Sequence, residues 1–184
     1  MKNKKLLLSL IISVAVLVIA TATTLLICFT GINACERNIK NSMQVVKSIS
    51  SVVTVTDGET EVYAYERSVQ IEGENTVVTV CESKLNSSFV LERQTPTQTS
   101  QKTDRQKLFG LNLKSELLTN ASFKNSKFFA KISVQNLPKV FAGASASSDA
   151  ELTAVFESNR ITKLTCSYLS TAGHTVTLTV TYTY

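Results

Sequence analysis

The stretch "ITKLTCSYLSTAGHTVTLTVTYTY", residues 161–184, decides the fold class of this chain. From residue 175 to residue 183 every odd position is threonine, and the even positions are valine, leucine, valine and tyrosine. A strict period of two is typical of a β-strand with one buried and one wet face. The loop Thr171–Gly173 fits a three-residue hairpin turn with Gly173 in the left-handed region. The sequence therefore predicts a terminal antiparallel hairpin.

The turn also predicts the register of this hairpin. It places Tyr168 opposite Val176 and Cys166 opposite Leu178, on the apolar face. We therefore expect Leu178 to be buried and the threonines to face solvent. A threonine ladder that binds ice or stacks into fibrils needs many flat strands. One strand carries the ladder here, so we interpret it as structural.

Strand patterns continue upstream of the hairpin. Residues 50–94 contain four alternating runs, separated by Asp57-Gly58, by residues 72–75 and by Asn86-Ser87, which are turn formers. Further strands are predicted at 127–135, 151–157 and 161–169, with a helical turn and a small-residue loop between 136 and 149. The expected fold is mainly β (α+β): an open antiparallel sheet or half-barrel of about eight strands with two or three short helices.

Two other segments are predicted to cover the apolar concave face of this sheet. One is a helix from about Cys35 to Lys47, and the other is a short helix from Leu108 to Leu118. The second follows residues 94–107, which have no apolar side chain except Pro96 and predict a solvated loop or mobile flap. The candidate contacts to the core or to an apolar ligand are Ile39, Met43, Val46, Leu108, Leu113 and Leu117.

The amino-terminal residues predict a membrane attachment. Three lysines precede an uncharged, mostly apolar run from Leu6 to Phe29, which as a helix would be about 36 Å long and would cross a bilayer core. The excess of lysine before the run places the amino terminus in the cytoplasm. The expected organisation is a basic and membrane-spanning segment, 1–34, and one exported β-rich domain, 35–184, at the plasma membrane.

The fate of this segment is open between three outcomes. It remains as an uncleaved anchor, it is exchanged for a lipid on Cys35, or it is cut after Ala20-Thr21-Ala22 as a signal peptide. The second outcome rests on "INAC", residues 32–35, which resembles the bacterial lipobox. Length favours the anchor, because the apolar region of a signal peptide is usually about 7–15 residues.

No catalytic constellation is found in the sequence. His174 is the only histidine, which excludes a two-histidine metal site and a histidine relay, and no nucleophile elbow or phosphate loop occurs. We predict no enzyme, no cofactor and no metal. Cys81 and Cys166 form a disulfide outside the cell if their strand faces coincide, and are otherwise inert thiols.

Charge divides the exported domain into two parts. Residues 36–92 hold nine acidic and five basic residues, whereas residues 93–139 hold nine basic and two acidic residues. The whole domain, with sixteen basic and fourteen acidic residues, is only slightly basic, which disfavours nucleic acid. The basic part predicts contact with anionic lipid headgroups or an anionic envelope polymer. The candidate residues are Lys102, Arg105, Lys107, Lys114, Lys124 and Lys127.

The order of anchor, helix, strand meander, polar loop, short helix and closing strands, together with the ending "ITKLTCSYLSTAGHTVTLTVTYTY", resembles cell-surface lipoproteins of the LolA/LppX-like fold. The resemblance spans residues 36–184. It implies an open half-barrel with helices over its concave face and a cavity for acyl chains or lipoproteins. The expected function is a membrane-tethered extracytoplasmic binding domain for a lipid or other apolar ligand. The alternative is a structural or assembly protein of the envelope.

Overall fold

Ten antiparallel strands form one open sheet in the computed structural model, which describes residues 31–109, 111, 113–141 and 144–184. The strands are β1 Ser48–Asp57, β2 Thr60–Glu72, β3 Asn75–Leu85, β4 Leu91–Arg93, β5 Thr97–Lys102, β6 Leu118–Lys124, β7 Lys127–Ile132, β8 Ala150–Glu157, β9 Arg160–Leu169 and β10 Thr175–Thr183. Helix α1 covers residues 31–45, α2 is Leu137–Val140, and Ser115–Leu117 form a 3₁₀ turn.

Across the sheet the strands run β4-β3-β2-β1-β10-β9-β8-β7-β6, and β5 lies on the same edge of β3 as β4. The first strand therefore pairs with the last. The predicted membrane span, Leu6–Phe29, lies outside the described residues. Among the residues that are described, no helix combines the length and the apolar composition that a membrane crossing requires.

The register of the terminal hairpin is confirmed. Tyr168 lies opposite Val176 and Cys166 lies opposite Leu178. Gly173 has φ +85°, in the left-handed region that favours glycine. The turn and the alternation together determined this register, because slipping by one residue would turn the apolar face outward.

The prediction that Leu178 is buried was wrong. Leu178 is half-buried, whereas Val180 and Tyr182, further along the same face of β10, are buried. Val180 and Tyr182 lie near the carboxyl end of β10, which α1 covers. At this end, the backbone amide two residues after α1 donates a hydrogen bond to the carbonyl of Thr183. Leu178 lies nearer the turn and borders a cavity instead.

The polar segment that predicted a loop or flap contains a strand. Residues 97–102 of β5 pair with residues 75–80 of β3 although all six side chains are exposed. An edge strand is held by backbone hydrogen bonds and needs no apolar side chain, and polar side chains on an edge disfavour aggregation. Just beyond it, the hydroxyls of Thr76 and Thr103 are 2.9 Å apart.

The helix predicted from Leu108 to Leu118 is also corrected. Among the residues of this segment that the structure describes, only Ser115–Leu117 form a helical turn, of the 3₁₀ type, and Leu118 already begins β6, opposite Ile132. Glycine and asparagine are weak helix formers, and the segment contains both, at positions 110 and 112. Leu117 and Leu118 are both buried, so tertiary packing determines the conformation here.

Helix α1 confirms the helix predicted after the apolar run, although it spans 31–45 instead of 35–47. Its apolar residues recur at intervals of three and four and pack into the core: Ile32, Cys35, Ile39 and Met43, followed by Val46. The buried hydroxyl of Ser42 donates to the carbonyl of Asn38 (2.6 Å) and accepts from the amide of Ile161 (3.0 Å). This second bond ties α1 to the beginning of β9.

Replacing Ser42 with alanine is expected to lower the free energy of unfolding by about 1–3 kcal/mol, because the buried amide of Ile161 then has no acceptor. Urea unfolding of the full-length protein in detergent micelles measures the change. Ser50→Ala, on an exposed position of β1, is the matched control and should change stability by less than about 0.5 kcal/mol. Equal losses for the two variants would show that the helix–strand tie contributes nothing.

The register also answers the disulfide question. Cys81 lies opposite Glu66, Glu66 opposite Val52, and Val52 opposite Thr179. Cys81 therefore shares the threonine face of the sheet, whereas Cys166 lies on the apolar face. Both are buried free thiols, on opposite faces of the sheet.

Candidate ligand-binding site

A cavity of about 790 Å³ lies between α1 and a segment made of residues 105–109, 111, 113 and 114. These residues, named here the lid segment, follow β5 in the sequence. The apolar lining comes from both elements: Ile39 and Met43 from α1, and Phe109, Leu111 and Leu113 from the lid segment. The volume is within the roughly 300–1,000 Å³ range of small-molecule sites.

The rim of this cavity is basic. Four cations border it against a single carboxylate, that of Glu36, and the remaining lining is Gln44 and Gln106. The four are Lys40, Arg105, Lys107 and Lys114. An apolar interior with an excess of positive charge at its opening suits a molecule with an apolar body and an anionic end.

Two contacts hold the lid segment in place. The guanidinium of Arg105 donates from Nη1 to the carbonyls of Met43 (3.0 Å) and Val46 (3.3 Å), at the end of α1. These carbonyls have no partner within the helix, and a cation is favoured at this end of the helix dipole. On the other side, Phe109 stacks on buried Tyr182 with ring centroids 6.3 Å apart.

The cations of the rim differ in how they are engaged. Arg105 caps the helix, and Lys107 pairs with Asp104 (3.1 Å), which lowers the pKa of that carboxyl. Lys40 and Lys114 are exposed and have no ion-pair partner among the described residues. These two ammonium groups are therefore available to an anionic ligand.

The structure brings together six of the twelve residues that were predicted to contact a ligand or an anionic surface. Ile39, Met43 and Leu113 line the cavity, as do Arg105, Lys107 and Lys114. The other apolar candidates are buried in the core: Val46, Leu108 and Leu117. The other basic candidates are exposed on β5 and on the β6–β7 hairpin, away from the cavity lining: Lys102, Lys124 and Lys127.

Sequence reasoning missed Lys40, Phe109 and Leu111. A signal for Lys40 was present, because Glu36, Lys40 and Gln44 follow one another at intervals of four. Such spacing places a polar stripe on one side of a helix, beside the apolar stripe of Ile39 and Met43. Phe109 and Leu111 had no such signal, since the helix assumed for their segment does not form.

A second, smaller cavity of about 260 Å³ lies on the apolar face of the sheet near the other end of the strands. Its sheet side is formed by Val53, Cys166, Tyr168, Val176 and Leu178. Phe141 and Ala144, after α2, border it from above. Burial raises the pKa of the Cys166 thiol to about 12, so the thiol stays protonated at neutral pH.

Cys35, the candidate for lipidation, lies on the buried side of α1. Burial, and to a smaller extent the charge of Glu36, raises the pKa of its thiol to about 12. Lipidation of this residue stays a prediction. Within the described part of the chain, no three residues of the metal-binding types are grouped closely enough to hold an ion.

Comparisons with known proteins give little beyond this geometry. No family model matches the sequence, and no curated protein matches it. Among solved structures, the chain is similar to a redesigned β-barrel, mFAP1, bound to DFHBI, at 10% sequence identity over 76% of this chain and 97% of that chain. The TM-score is 0.24, which is too low to assign a fold or a function.

Proposed function

We propose that this protein is a membrane-tethered, extracytoplasmic domain that binds an amphiphile with an acyl chain and an anionic headgroup. The ligand occupies the cavity between α1 and the lid segment. The observation that carries the proposal is the combination of an apolar interior with two unpaired lysines at the rim. Fatty acids and anionic phospholipids both belong to this class of ligand.

The apolar part of the ligand is stabilised by burial. Five apolar side chains face the cavity from two sides, so an acyl chain between them loses its contact with water. Each methylene group that is buried contributes about 0.8 kcal/mol. A chain of several methylenes therefore compensates for the loss of translational freedom on binding.

The headgroup is positioned by charge. Lys40 on α1 and Lys114 at the end of the lid segment approach the opening from both sides of the cavity. A carboxylate or phosphate between them gains two ionic contacts at the rim, where water screens each to about 1 kcal/mol. These contacts orient the ligand and contribute to its affinity.

The apolar run Leu6–Phe29 comes immediately before α1 in the sequence. A run that crosses the bilayer would hold α1, and the cavity beside it, next to the lipid surface. A ligand from the outer leaflet would then reach the cavity over a short distance. The experiment therefore uses the full-length chain in a bilayer.

Photo-crosslinking of a diazirine-bearing stearate tests the proposal. With the full-length protein in lipid nanodiscs, crosslinks are expected on peptides from α1 and the lid segment, and excess stearate should suppress them. Lys40→Glu with Lys114→Glu should reduce these crosslinks about tenfold, because each reversal turns an attraction into a repulsion.

A matched double variant keeps the charge change and moves it away from the cavity. Lys124→Glu with Lys163→Glu, at exposed positions of β6 and β9, should leave the crosslinks unchanged. Crosslinks confined to residues 1–30, or equal losses in the two double variants, would contradict binding in the cavity. That result would favour the alternative of a structural envelope protein.

A further inference from the structure

The second cavity, about 260 Å³ on the apolar face of the sheet, is separate from the site between α1 and the lid segment. It shares no lining residue with that site. Its walls are mainly apolar and aromatic, including Val53, Tyr168, Leu178 and Phe141. An apolar cavity of about 150 Å³ holds benzene, so this one has room for a larger ring system.

Next to this cavity, the same face of the sheet carries polar side chains of β2 and β3. Val53, in its wall, lies opposite Tyr65 of β2, and Tyr65 lies opposite Glu82 of β3. One step along, Tyr63 lies opposite Lys84. Residues directly opposite one another share a face, so the tyrosines and this acid–base pair lie on the face that carries the cavity.

The positive and negative charges among these polar side chains do not balance. Glu82 is compensated by Lys84, whose ammonium lies 2.5 Å from its carboxylate. Arg67 lies opposite Ser51, two residues from Tyr65 and on the same face, and is half-buried. Its guanidinium has no ion-pair partner among the described residues. One positive charge therefore lies uncompensated beside an apolar cavity.

We infer that this cavity is a second binding site, for a small aromatic carboxylate. The ring system lies between Val53, Tyr168 and Leu178. The carboxylate lies over β2, where Arg67 offers a planar pair of donors that matches its two oxygens. The inference rests on the cavity and the register, independently of the proposed binding of an acyl chain.

Equilibrium dialysis with 2-naphthoate tests the inference, using the full-length protein in micelles with equal detergent on both sides. Saturable binding is expected, weakened at least tenfold in Val53→Phe, whose added ring fills the cavity. Val52→Phe is the matched control: Val52 is the neighbouring half-buried valine, on the opposite face of β1, and its substitution should leave binding unchanged.

The charge is tested with a neutral analogue. Arg67→Gln should weaken binding of 2-naphthoate three- to tenfold and leave binding of 2-naphthol unchanged. Absence of saturable binding to the wild-type protein, or equal effects of the two valine substitutions, would overturn the inference. The lysine variants of the rim should not affect 2-naphthoate, so failure of one site is distinguishable from failure of the other.

Discussion

Replacing Phe128 with alanine is expected to lower the free energy of unfolding by about 3–5 kcal/mol. Its ring is only 1% exposed, and β7 presents it to the core, where it lies opposite Ala154 of β8. Truncation loses the free energy gained by transferring the ring from water to the core. It also leaves a void, which β7 cannot close because it is paired with a strand on each side. For a domain of this size, such a loss is a large fraction of the total stability.

The adjacent residue provides the control. Phe129 is the same residue type on the opposite face of the same strand, and it is 42% exposed. Phe129→Ala should cost less than Phe128→Ala, about 1 kcal/mol, because a large part of its side chain is already exposed to water. Urea unfolding of both variants, in full-length protein and the same micelles, measures the difference. Similar losses at the two positions would mean that the two faces of β7 are not core and solvent.

The terminal hairpin shows what the sequence determined well. Its alternation and the turn at Gly173 together predicted which residues of β9 and β10 pair, and the pairing is confirmed. Both signals are local: the period of two selects the face, and the turn selects the register. The four strands predicted between residues 50 and 94 were confirmed for the same reason, with bounds from Ser48 to Arg93.

The errors lie where local patterns do not determine structure. β5 has no apolar side chain, and its pairing depends on the free edge of β3, which sequence alone does not reveal. The sequence from Leu108 to Leu118 contains leucines at helical spacing, but Leu117 and Leu118 are buried in the core, and Leu118 already begins β6. The prediction that Leu178 is buried failed because the pattern of a single strand does not show how much of that strand the neighbouring helix covers.

The candidate site was predicted in part for a related reason. Met43 and Leu113 were identified from the apolar stripes of their segments, and both line the cavity. Lys40 was not identified, because its role depends on the approach of the lid segment to α1. That approach is held by Arg105, which donates to the carbonyls of Met43 and Val46. Arg105 and Met43 are 62 positions apart in sequence.

Alkaline pH is expected to destabilise the protein through its buried thiols. The pKa of Cys35 and of Cys166 is about 12 in the folded protein, against an ordinary value of 9.0. Below pH 9 both states keep the protons, and the stabilisation is fully present. Between pH 9 and 12 the unfolded chain releases them first, so each thiol costs about 1.4 kcal/mol per pH unit. Together they should remove about 4 kcal/mol between pH 8 and 10.5.

Tyr182 also lowers the stability of the folded protein at still higher pH, because burial raises the pKa of its hydroxyl above the ordinary 10.0. Urea unfolding at pH 8 and at pH 10.5 separates the groups, since Cys35→Ala with Cys166→Ala removes the thiols and leaves the tyrosine. In that double variant the loss over this interval should be smaller by the share of the two thiols, about 4 kcal/mol. Each single variant should retain about half of the thiol contribution, because the two residues lie on different elements and their effects add. If the wild-type protein and the double variant lost equal stability, the two thiols would not be desolvated in the native state.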